Sequence, residues 1–177
     1  MRADSLSDRI TRRWWYFILG LAWLLHDSEE VLLAPQMLRF MQLDAPGFLR
    51  DAYAGITVSE LQAVLLILTA ASLIVIAIAT VFAAATASAF GMIVLAALLG
   101  LNAVFHIGLF IQTGVYSAGL ATAILVSLPV AATLLVQARR QRWIAAPAFW
   151  AAVPAAVLVH GPVLDGLFEA SLGMVRG

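Results

Sequence analysis

Long apolar stretches separated by brief polar interruptions dominate the chain. Polar and basic residues run from Met1 to Arg13, and Trp14 and Trp15 then open a stretch that is apolar to about Leu33 apart from one acidic insertion. Residues 35–56 are mixed, with Arg39, Asp44, Arg50 and Asp51 set among Met37, Leu38, Phe40, Met41, Phe48, Leu49 and Tyr53. Apolar runs cover about 57–81, 88–110 and 116–136, and Arg139, Arg140 and Arg142 close the last of these. A final stretch over about 144–172 is interrupted by Pro147, Pro154 and the Gly161-Pro162 pair.

Runs of about 20 apolar residues match the ~30 Å hydrocarbon core of a bilayer. The pattern therefore predicts an all-α polytopic transmembrane helical bundle, a single domain of five spans at 14–33, 57–81, 88–110, 116–136 and 144–172. Trp14 and Trp15 suit a membrane interface, where amphipathic rings prefer to sit. Ser7 or Asp8 is expected to cap a short surface turn, Ser59 to cap the second span with Glu60 behind it, and Gly114 to make a turn. The spaced apolar residues of 35–56 predict one or two short interfacial helices, a lid or a surface-bound loop. Gly161-Pro162 should kink or break the last helix directly after His160.

Composition agrees with a membrane setting. The chain is 63% hydrophobic and 11% charged, against about 25% charged in soluble domains. Lysine is absent, and the arginines before Trp14 and at Arg139–Arg142 put both of those ends in the cytoplasm. This implies an N-terminus inside, a C-terminus outside and a bacterial inner (cytoplasmic) membrane. A cleaved signal peptide is disfavoured, because the acidic insertion stands where a small-residue cleavage site belongs. With the arginines assigned to membrane flanks, no extended basic surface is left for nucleic acid. Cysteine is absent, which excludes disulfides, thiolate ligands and cysteine nucleophiles. Any metal here is held by histidine, carboxylate and water.

The acidic insertion is His26-Asp27-Ser28-Glu29-Glu30. Ionisable residues in a bilayer are costly and demand a reason. His26 lies three and four residues before Glu29 and Glu30, so a helix brings all three near one face. The chain has only three histidines, His26, His106 and His160, and all fall on spans running outward. At ~1.5 Å per residue they stand about 20–27 Å from the cytoplasmic edge, the outer third of the core. Glu29, Glu30 and Glu60 fall at the same depth, and Asn102 lies one turn from His106. His26, Glu30, His106 and His160 are the candidate ligands of zinc or iron. Glu29 is a partner of that group or a general base, which makes His26, Glu29 and Glu30 the candidate catalytic set. Glu60 reads equally as a helix cap, and Asp165 with Glu169 as the polar face of an interfacial helix.

His26-Asp27-Ser28-Glu29-Glu30 resembles the signature of the HXXEE-motif family of small bacterial membrane proteins. Asn102-Ala-Val-Phe-His106 and Tyr116-Ser-Ala-Gly119-Leu-Ala-Thr122 fit that resemblance, which covers roughly 14–136. It implies a topology and a site, and no reaction. Asn102 and Tyr116 are the candidate substrate-binding residues, and Asn102 reads equally as interhelical glue. CAAX-protease-like enzymes carry paired glutamates with arginine four positions on, where this chain has Ala34, so that match fails. Emopamil-binding-type sterol isomerases use a His-x-x-x-Glu pair to move protons on a lipid. His26 and Glu30 share the spacing, an analogy of chemistry alone.

The expected function is a membrane-embedded metal-dependent enzyme, a hydrolase or oxygenase of a lipid-like or isoprenoid substrate. The alternatives are a metal-free isomerase or a small transporter or binding protein. Gly119, Ala121, Ala123, Ala131 and Ala132 would also let the fourth span pack closely on a neighbour, including a second copy in a homo-oligomer.

Overall fold

The computed structural model describes residues 6–177, with side chains from residue 10 onward. The described residues form seven helices and no strand: α1 (Leu6–Leu32), α2 (Ala34–Leu43), α3 (Gly47–Ala52), α4 (Val58–Val81), α5 (Thr86–Thr113), α6 (Leu120–Arg140) and α7 (Ala146–Arg176). α4, α5, α6 and α7 are long and apolar enough to cross a membrane. α1 has 27 residues, about 40 Å of helix, but carries Arg12, Arg13, Asp27, Glu29 and Glu30.

Several helix ends differ from the sequence pattern. α1 is already helical at Leu6, so the basic segment is its first turns and not a separate surface turn. The Ser7 and Asp8 side chains lie outside the described residues. Thr57, not Ser59, caps α4, in a reciprocal capping box with Glu60. α5 extends the 88–110 run at both ends. α6 starts at Leu120 rather than 116, because Gly114 (φ 68°) and Gly119 (φ 90°) both take the left-handed conformation and hold the chain between them out of helix. Tyr116 therefore stands in a loop.

The connector forms two short helices. Pro35 opens α2, where its missing N–H costs nothing. Met37, Leu38, Phe40 and Met41 are buried, and Gln42 Nε2 donates to the carbonyls of Tyr53 (3.0 Å) and Ile56 (3.2 Å), which ties α2 to the segment after α3. α7 is broken as the Gly-Pro pair predicts, with a π-helical turn over Val159–Val163 and non-helical angles at Gly161.

α1 packs on α4, and α5 packs on both α6 and the first half of α7. Small residues allow the closest approaches: a Cβ on Gly100 of α5 would touch Ala131 of α6 at 3.4 Å. That part of the small-residue run is thus spent within the chain. The core has two apolar clusters. One contains Tyr16, Leu19 and Ala22 of α1 with Met92, Ile93, Ala96 and Leu99 of α5. The other joins α2 to Leu61, Val64, Leu109 and Leu172. Along both α1 and α5 the histidines fall between these clusters, in a polar layer.

Candidate metal centre

The layer is built from two helical pairs. On α1, His26 and Glu30 are one turn apart and face the bundle interior. On α5, Asn102 and His106 repeat that spacing. His26 and His106 are 0% and 2% exposed and Glu30 is 6% exposed, so all three are removed from solvent. Glu30 Oε1 lies 3.0 Å from His106 Nε2 and 3.7 Å from His26 Nε2. The imidazoles meet edge to face at 5.2 Å between centroids. One ligand atom from each of His26, Glu30 and His106 lies within 4.8 Å of the others, the group best placed among the described residues to hold a cation.

The donor set suits a metal. Tetrahedral bonds of ~2.0–2.1 Å place neighbouring ligand atoms about 3.3 Å apart, and the two carboxylate–imidazole distances bracket that value. Three protein ligands leave a coordination position open. The Glu30 carboxylate has no ion-pair partner among the described residues other than these histidines. A carboxylate buried without a fixed cation is expensive. Metal binding would offset that cost.

Neighbouring groups hold the His26 ring, whereas His106 Nδ1 is buried without a hydrogen-bond partner among the described residues. Asn102 Nδ2 is 2.7 Å from His26 Nε2, and the Thr122 hydroxyl is 2.9 Å from His26 Nδ1. Gly119 presses its backbone against the group. A Cβ there would come within 2.7 Å of His106 Cε1 and 3.1 Å of Glu30 Oε1, so only glycine leaves the space free.

Glu29 sits one residue round the helix and is not in the three-residue group. It accepts from the Tyr116 phenol, from the Thr122 amide at 2.8 Å and from the Thr122 hydroxyl at 2.6 Å. Gly119 occupies the N-cap of α6 without a side chain to offer. Glu29 supplies that missing cap from across the bundle, where a carboxylate also meets the positive end of the helix dipole. Partial burial, followed by the hydrogen bond to Glu29, raises the Tyr116 phenol above its ordinary value. Asp27 faces α4, where the Thr69 hydroxyl donates to its Oδ2 at 2.7 Å.

The other predicted residues sit apart. His160 meets Phe105 edge-on at 6.0 Å between centroids and is not in the three-residue group. Glu60 caps α4 and pairs with Arg176 at 2.7 Å. Asp165 and Glu169 also lie outside the group. Tyr53, at the end of α3, borders the site: burial first, then the charges of Glu30 and Asp165, push its phenol upward. Sequence reasoning gave Thr69 no role, placed Thr122 and Gly119 in the motif that carries the resemblance, and read Gly119 as a helix-packing residue rather than a neighbour of the ligands. The available signal was a second glycine five residues after Gly114, which marks a loop where a helix start was expected.

A family model described as a protein of unknown function with HXXEE motif matches residues 17–134. Neither the curated proteins nor the solved structures provide a match.

Proposed function

We propose that this chain, which belongs to the family of proteins of unknown function with an HXXEE motif, is a membrane-embedded enzyme whose His26, Glu30 and His106 hold zinc or iron. One observation carries the reading: two imidazoles and a carboxylate, all buried, converge within 4.8 Å between two apolar clusters. Zinc in such a set supplies an activated water for hydrolysis, and iron supplies an oxidation centre. The chain's own contribution is to orient the ligands and exclude water. Asn102 and Tyr116 are the residues we assign to the substrate, since they touch His26 and Glu29 from outside the three-residue group. A lipid-like or isoprenoid substrate fits because four helices around the site are apolar enough to lie in a bilayer. With α1 as the first of five spans, the arginine distribution supports an N-terminus inside, a C-terminus outside and a bacterial inner membrane.

A second reading, a metal-free isomerase moving a proton on a lipid, is favoured by the way the site closes on itself. The His106–Glu30 contact at 3.0 Å and the Asn102–His26 contact at 2.7 Å give Glu30 and His26 partners without a cation. Elemental analysis of the detergent-purified protein separates the two. Stoichiometric zinc or iron that is lost in His26→Ala, Glu30→Gln and His106→Ala supports the metal enzyme. No metal, even after reloading, rejects it and leaves the isomerase.

A further inference from the structure

A threonine hydroxyl has one proton to give and two lone pairs to accept with. Thr122 Oγ1 meets three partners: Glu29 Oε2 at 2.6 Å, the Gly119 carbonyl at 3.2 Å and His26 Nδ1 at 2.9 Å. Glu29 already accepts from the Thr122 amide and from Tyr116, so it meets the hydroxyl as an acceptor. The shortest contact takes the proton. Oγ1 can then face His26 only with a lone pair, and His26 Nδ1 must carry hydrogen. Asn102 Nδ2 lies 2.7 Å from Nε2, a distance compatible with that tautomer, and a metal bound at Nε2 would displace this contact.

From this proton count we infer that Thr122 is the positioning residue of the metal centre. It fixes the Nδ1–H tautomer of His26 and thereby keeps hydrogen off Nε2, the ring nitrogen 3.7 Å from Glu30 Oε1. The inference rests on the metal reading above and extends it to a residue outside the ligand set. Metal-binding imidazoles need the other ring nitrogen held by a partner of this kind, and losing it typically costs 10–100-fold in affinity. Here the partner is relayed: Glu29 orients the hydroxyl, and the hydroxyl orients the ring. Thr122 is itself held rigidly, because its amide is bound by the same carboxylate and it closes the first turn of α6, directly before the π-helical turn Ala123–Ser127. Without the hydroxyl, Nδ1 loses its acceptor. The proton then moves to Nε2, where it meets Glu30 and blocks coordination.

The test uses the full chain in detergent, as wild type, Thr122→Val and Thr122→Ser. Zinc and cobalt affinities come from competition with a chromogenic chelator. Long-range proton–nitrogen NMR of ¹⁵N-histidine-labelled protein, assigned with a His26→Asn variant, reads the tautomer directly. We expect Nδ1–H at His26 in the wild type. Thr122→Val should bind both metals 10–100-fold more weakly and shift His26 to Nε2–H, and Thr122→Ser should restore both. Wild-type Nε2–H at His26, or a Thr122→Val protein with unchanged tautomer and affinity, overturns the inference. A wild type that binds neither metal yet shows a Thr122-dependent Nδ1–H rejects the metal reading and leaves the positioning role standing.

Discussion

Replacing Gly119 by alanine adds one methyl group where the structure has no room for it. The residue sits at φ 90°, and a left-handed backbone costs an L-residue roughly 1–2 kcal/mol. The new Cβ would stand 2.7 Å from His106 Cε1 and 3.0 Å from its Nε2. Ordinary contact begins at 3.4 Å, so the imidazole or the loop must yield by about 0.7 Å. His106 is 2% exposed and packed between α1 and the loop, which leaves the ring little freedom. Overpacking of that kind costs about 1–3 kcal/mol, and the two effects together come to about 2–5 kcal/mol. Bond lengths in metal sites hold to within about 0.2 Å, so on the metal reading proposed above the displacement should also weaken zinc binding by roughly 100-fold or more, about 2.7 kcal/mol on the affinity scale. Gly108→Ala is the control. It lies half a turn beyond His106 on the same helix, with no atom within 4 Å of its Cβ position, and alanine is the better helix former by up to about 1 kcal/mol. Thermal unfolding in detergent and competitive metal titration read both effects. A Gly119→Ala protein that melts and binds zinc like the wild type would show that the loop does not press on the imidazole, and the steric reasoning would fail.

Two further outcomes follow from the neighbouring contacts. Thr69→Val keeps the shape of the side chain but removes the hydroxyl partner of buried Asp27, so the unfolding free energy should fall by about 1–3 kcal/mol with metal content unchanged; an unaltered unfolding transition would mean that Asp27 finds another partner. On the metal reading His160→Ala should retain full metal stoichiometry, because that ring meets Phe105 edge-on outside the ligand group, and loss of metal in this variant would place His160 among the ligands after all.

Local spacing made part of the site legible. His26 and Glu30 share a face of α1 because four residues make about one helical turn, and the same count pairs Asn102 with His106 on α5. The break after His160 could be read from Gly161-Pro162, since proline removes a backbone donor wherever it occurs. Glu60 as a cap was readable for the same local reason, although the partner residue is Thr57 rather than Ser59. Helix ends at loops were less legible: an apolar pattern continues through Tyr116-Ser-Ala, and nothing in hydropathy reveals that two left-handed glycines hold those residues out of helix.

The chain's own order of residues thus determined the all-helical architecture, the apolar segments and the pairing of residues one turn apart, because each of these depends on a few neighbours along the backbone. Which pairs meet was decided only by the tertiary structure. His26, His106 and His160 fall at similar depths by counting, but depth does not set the rotation of a helix about its axis. Packing sets that rotation, through contacts such as Gly100 against Ala131. It brings His106 onto Glu30 and leaves His160 against Phe105, outside the three-residue group. One step of about 100° around α1 separates Glu30 from Glu29, and it turns one carboxylate into a candidate ligand and the other into the cap of a distant helix. Those assignments depend on what stands opposite each side chain, and only the assembled bundle supplies it.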